Sequence, residues 1–275
     1  MTSISLLQSR RRESERAAEL ARLNLVWAIG ACLGPLLVLR GATAWGTPAV
    51  LLGAAAFFGL AGGLAFVAVP HVDAATTKSP APRGRDPIAL LLILVPLATG
   101  VESATGGWLA TYSKRSGQTL GEVIGAATCF WVGMLVSRFI QSHRSIATAS
   151  ALALFVGGPW LMSAALGVLL LSTGGASMLA GALLLGLAIG PMYPLLLALV
   201  LRHGEGGNVV FVVAGCGAAL LPLLTGLLSK WSGSLRVGLG VPLVASVVMG
   251  CLGLAGWRQK NIIAVRISDA VQQDI

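Results

Sequence analysis

Residues 86–114, DPIALLLILVPLATGVESATGGWLATYSK, decide the fold. The stretch exceeds the roughly 20 apolar residues that a helix needs to cross a bilayer, and it carries one carboxylate, Glu102, in its interior. A charge at bilayer depth is costly unless it faces a protein interior or a wet cavity, so an intramembrane acid marks a functional position by default. The remaining acidic residues lie in loops, tails or helix ends.

The rest of the chain has the same character. Hydrophobic residues make up 56% of its 275 residues and charged residues 11%, with a mean hydropathy of +0.85. Too little polar surface remains for a water-soluble globule, and the composition is that of a polytopic membrane protein. The net charge of +9 raises nucleic acid as a partner. That reading fails because the bases sit in short loops between apolar runs rather than on one face with polar or aromatic readers. Cys32, Cys129, Cys216 and Cys251 each lie inside an apolar run and form no CxxC pair, so they read as small buried packing residues.

Eight apolar runs pass the spanning test, near 23–40, 48–70, 88–112, 121–141, 146–171, 176–201, 208–229 and 236–256. The fifth is the least regular, since Gly157-Gly158-Pro159 interrupts its middle. Residues 1–22 form a basic, partly helical arm, residues 71–87 a Pro-rich linker, and residues 257–275 a tail. With the N-terminus inside, only Arg40, Lys114, Arg115, Lys230 and Arg236 of the 19 basic residues fall outside. This asymmetry places both termini in the cytoplasm. The 36 glycines, many in small-residue spacings, predict helices whose backbones approach closely.

At 100° per residue, Glu102, Thr105, Trp108, Leu109 and Tyr112 share a stripe within about a 120° arc of the third span. An acid, a hydroxyl and two polar-tipped aromatics on one stripe suit the wall of a pocket for a small polar solute, and Glu102 is also a candidate proton carrier. The bland alternative is a helix-to-helix hydrogen bond for Glu102, with Trp108 and Tyr112 in the interfacial aromatic belt. Beside the stripe, Gly106 and Gly107 predict a weak point in the helix. In the sixth span Pro191 and Pro194 flank Tyr193; two missing backbone donors predict a bend or opening, with Tyr193 at a cavity. Trp131 lies within the fourth span, and Arg138, near its cytoplasmic end, reads as a snorkelling anchor or gate contact. His71, His143 and His203 fall in loops at unrelated spacings, so neither a metal site nor a nucleophile and base pair is indicated; no cofactor and no enzymatic activity are expected.

Four strings, GVESATGGWLATY (100–112), FWVGMLVSRFI (130–140), GLAIGPMYP (186–194) and AGCGAALLPLLTGLLS (214–229), resemble in order helices seven, eight, ten and eleven of the major facilitator superfamily, in its fucose:proton symporter-like branch of sugar porters. LNLVWAIGACLGP (23–35) resembles the start of helix five, although Val38 and Leu39 stand where the antiporter pattern has a Gly pair. The resemblance implies an all-α membrane protein: residues 23–70 as helices five and six, 71–87 as the central cytoplasmic loop, and 88–256 as a six-helix C-terminal half built from two inverted repeats. It implies that the first four helices are missing, so that a second polypeptide or another copy would complete the N-terminal half. It also implies secondary transport of a sugar or similar small polar solute in a bacterial inner membrane, with Glu102, Thr105, Trp108, Tyr112, Trp131 and Tyr193 along the solute pathway. The competing expectation is a non-transporting membrane scaffold derived from a transporter half.

Overall fold

The computed structural model describes residues 29–30, 33–34, 37, 40–68, 86–141, 144–202 and 207–258. The basic arm, most of the first expected span, the linker, nearly all of the tail, the three histidines and Cys32 lie outside the described residues. Among those described, every element is a helix: α1 (Thr47–Ala68), α2 (Asp86–Arg115), α3 (Leu120–Gln141), α4 (Arg144–Leu171), α5 (Gly175–Ile189), α6 (Met192–Arg202), α7 (Gly207–Ser232), α8 (Leu235–Gly238) and α9 (Gly240–Arg258). Seven helical spans are long and apolar enough to cross a membrane, with α5 and α6 forming one and α8 and α9 another. The chain is an integral membrane protein.

Local chemistry explains where the helices start and stop. After α2, Gly117 takes φ +82, while the Gln118 N–H donates to Ser113 O and the Gly117 N–H to Lys114 O, both at 3.2 Å. This Schellman closure satisfies carbonyls that the helix end would leave orphaned. Thr119 then opens α3 in a capping box. The Thr119 N–H donates to Glu122 Oε2 at 2.8 Å and the Glu122 N–H to Thr119 Oγ1 at 3.4 Å, so the turn satisfies donors as well as acceptors.

α4 is continuous through Gly157, Gly158 and Pro159, so the irregularity expected there is absorbed within one helix. Gly158 instead makes room for the Met192 thioether. α2 likewise runs unbroken through Gly106 and Gly107. The expected weak point is not a break, because Gly106 seats the Phe130 and Trp131 rings, which meet edge to face with centroids 5.0 Å apart.

The six-span body has a regular pairing. α2 packs most extensively on α7, and α3 on α5; α4 lies against α5 and α9, and α9 closes back on α2. Exchanging α2, α3 and α4 with α5–α6, α7 and α8–α9 turns the α2–α7 pair into α5–α3 and the α4–α5 pair into α9–α2. Both principal crossings are backbone to backbone. A Cβ on Gly100 would lie 2.8 Å from Gly217 O, and one on Gly217 would overlap the Pro96 backbone; in the other pair Gly133 abuts Leu183 and Leu187, and Gly186 abuts Phe130 and Met134. Glycine is required at these points because nothing separates the two helix backbones. α1 stands apart, with none of its apolar window buried. Cys216 and Cys251 are exposed. They lie on the outer surface of α7 and α9, contrary to their expected burial, since a lipid-facing side tolerates an apolar thiol as readily as a core does.

Candidate functional site

The site grows from a defect in the sixth span. Residue 194 is proline and has no N–H, so the carbonyl of Gly190 lacks its usual partner four residues on. Pro191 removes a second donor, and the helix breaks at Gly190-Pro191 between α5 and α6. The hydrogen-bond ladder is interrupted there, while Gly190 keeps right-handed helical angles (φ −49, ψ −44) and its N–H still donates to Gly186 O. The freed Gly190 carbonyl faces α3. Gly190 comes so close to it that an added Cβ would meet Ser137 Oγ and lie 2.9 Å from Met134 O.

Arg138 fills the gap. Its Nε donates to Gly190 O at 3.0 Å, and one turn on, Gln141 Nε2 donates to Pro191 O at 3.2 Å. The far end of the same guanidinium meets the intramembrane acid: Arg138 Nη2 donates to Glu102 Oε1 and Oε2, both at 3.1 Å. Arg138 is 3% exposed, whereas the Glu102 side chain keeps 13% of its surface. The carboxylate is the accessible member of the pair. Tyr193, half-buried at the break, stands within electrostatic reach of both.

The snorkelling expectation for Arg138 is overturned, and direction explains it. Helical side chains lean toward their own N-terminus, and α3 starts at the opposite end of the bundle. Arg138 therefore leans back toward the middle of the span. The sequence carried a signal for the pair: one acid and one arginine on successive antiparallel apolar helices, each without a neutralising neighbour on its own helix.

The other expected site residues are placed as follows. Thr105 is buried, its Oγ1 bonded to Val101 O at 2.7 Å within its own helix. Trp108 Nε1 donates to Pro222 O of α7 at 3.0 Å, and the Tyr112 hydroxyl donates to Leu170 O of α4 at 3.2 Å. Leu109 is buried. Trp108 and Tyr112 thus hold neighbouring helices by hydrogen bonds worth about 1 kcal/mol each. Trp131 packs over Gly106. Glu102 is joined to Arg138, with Tyr193 within electrostatic range; Trp108 and Tyr112 bond to different helices, α7 and α4.

Among the described residues no group of His, Cys, Asp and Glu is placed to hold a metal ion. What remains among the described residues is a charge pair at membrane depth, tied to the proline gap in a neighbouring helix, with its acid partly open. Such an arrangement can bind or release a proton at Glu102 and communicate the change through Arg138 to the backbone of the broken span. Compared with protein-family models and with curated proteins, the chain matches none.

Proposed function

We propose that this chain is a secondary transporter, or one half of one, that moves a small polar solute such as a sugar with proton coupling at Glu102. The observation that carries the reading is the Glu102–Arg138 pair braced on Gly190 O. Ionisable groups inside a bundle mark ion and substrate pathways, and broken helices with freed carbonyls are how transporters build midplane sites. The pairing of α2–α7 with α3–α5 supports an inverted-repeat half like that of the major facilitator superfamily, as the resemblance implies. Such a half works against a second set of helices across the face that Glu102 approaches.

The test is uptake into proteoliposomes carrying an imposed pH gradient, comparing wild type with Glu102→Gln. Gradient-driven uptake in wild type, lost in the variant, is the expected result; identical uptake by both at every pH sinks the proton role. A second reading, a membrane interaction protein, draws on the unburied apolar window Thr47–Leu64 of α1. It gains if neither protein transports and the chain co-purifies with one defined membrane partner.

A further inference from the structure

We infer that the end of the bundle where α2 and α7 finish holds the headgroup of an anionic phospholipid, with an acyl chain laid along the outer face of α7. This inference does not depend on the transporter reading.

The rim is built around Ser229. This residue is buried, and Arg115 Nη1, at the end of α2, donates to its Oγ at 3.5 Å. α8 seats directly against it, since a Cβ on Gly238 would lie 2.9 Å from Ser229 Cβ, and two residues earlier α8 carries Arg236. Lys230 follows Ser229 in α7, and Lys114 precedes Arg115 in α2. These four bases are all exposed and come from three helices. One described acid belongs to this end, Glu122, and its Oε2 already accepts from the N–H and the hydroxyl of Thr119. The excess of positive charge attracts anions to the rim.

The surface beside the rim favours a lipid over a dissolved anion. At 100° per residue, Leu220, Leu223, Leu227, Lys230 and Trp231 of α7 share an arc of about 100°, and all five are exposed. Between Leu220 and Lys230 the helix rises about 15 Å, half of the roughly 30 Å hydrocarbon core, so the stripe matches the depth of one leaflet. Trp231, 80% exposed, is the residue type that prefers the boundary between hydrocarbon and water. Lys230, at the end of the same stripe, can keep its methylenes on the apolar surface while its ammonium reaches the phosphate level. A diacyl anion thus finds a chain track and counter-charges on one face. Each cation at that level strengthens the binding of an acidic headgroup by about fivefold.

The experiment measures lipid binding. The full chain is delipidated in a neutral detergent and titrated with phosphatidylglycerol or with phosphatidylcholine of the same acyl chains, and native mass spectrometry reads the lipid-bound fraction. Wild type is expected to bind phosphatidylglycerol about a hundredfold more tightly, the product of three such factors. Each of Arg115→Gln, Lys230→Gln and Arg236→Gln is expected to weaken phosphatidylglycerol about fivefold, and the triple variant to bind the two lipids alike. Should the triple variant fail to fold, the single variants decide. Removing the linker bases Lys78, Arg83 and Arg85 as glutamines takes away the same net charge and is expected to keep the preference. Inorganic phosphate, at the ionic strength of a chloride control, is expected to leave the lipid in place. Equal binding of the two lipids by wild type, an undiminished preference in the rim variants, or an equal loss in the linker variant overturns the inference. Release of the lipid by phosphate but not by chloride would also overturn it, assigning the rim to a soluble anion.

Discussion

Arg138 joins Gly190 O and Glu102 through one planar group, and lysine cannot imitate it. Arg138→Lys retains the charge but offers a single ammonium, which cannot reach Gly190 O and Glu102 together. Glu102→Gln and Arg138→Gln are each expected to destabilise the protein by about 3–5 kcal/mol, because each breaks a buried ion pair by removing one member, while the double variant costs less than their sum. Thermal unfolding of the four proteins closes the cycle, and additive losses would show that the pair is not coupled. At this scale Glu102 was legible in the sequence, since a carboxylate within an apolar span demands a reason. Its partner was misread because closeness to a helix end was taken as closeness to water, ignoring the lean of helical side chains. The hydrogen bonds of Thr105, Trp108 and Tyr112 were not legible either. A helical wheel gives the face on which a polar tip lies but not whether a carbonyl waits there, and the carbonyls of Pro222 and Leu170 belong to helices distant in sequence.

Helix positions followed from the chain because length and apolarity suffice to define a span; the structure moves most boundaries by a few residues. What neither property reveals is which glycine lies at a crossing and which faces open space. Gly186→Val places a branched side chain against the Phe130 backbone and is expected to separate α3 from α5, so that the variant loses its folding transition and enters aggregates. Gly107→Ala meets nothing within 4 Å and is expected to be neutral or to stabilise the exposed helix by up to about 1 kcal/mol. Size-exclusion profiles with thermal midpoints separate the two outcomes, and similar behaviour of both variants would refute the assigned crossing. The proline break was readable because a missing N–H is a covalent fact. The use made of the liberated carbonyl required the fold.

For the molecule as a whole, the six-span body reads as a membrane object through its outer surface, where Leu161, Leu171, Leu220, Val244 and Trp231 are exposed together with Cys216 and Cys251. Those two thiols should react in intact membranes with a lipid-soluble maleimide and resist a water-soluble one, with the labelled peptides identified by mass spectrometry. Ready reaction of both with the water-soluble reagent would put these faces of α7 and α9 on an aqueous path. Composition had already fixed the membrane class, whereas the thiols' outward placement depends on helix rotation, which a span as uniformly apolar as α7 or α9 does not encode. The proline at 194 has one more consequence, and it is genetic. An imide nitrogen that donates nothing makes Gly190 O dependent on Arg138, so the two positions do not mutate freely of one another: losing the arginine orphans a carbonyl that only a residue with an N–H at 194 can satisfy. A lineage that gave up this charge pair would be expected to discard the proline with it, and Pro194 is where suppressors of such a loss should arise.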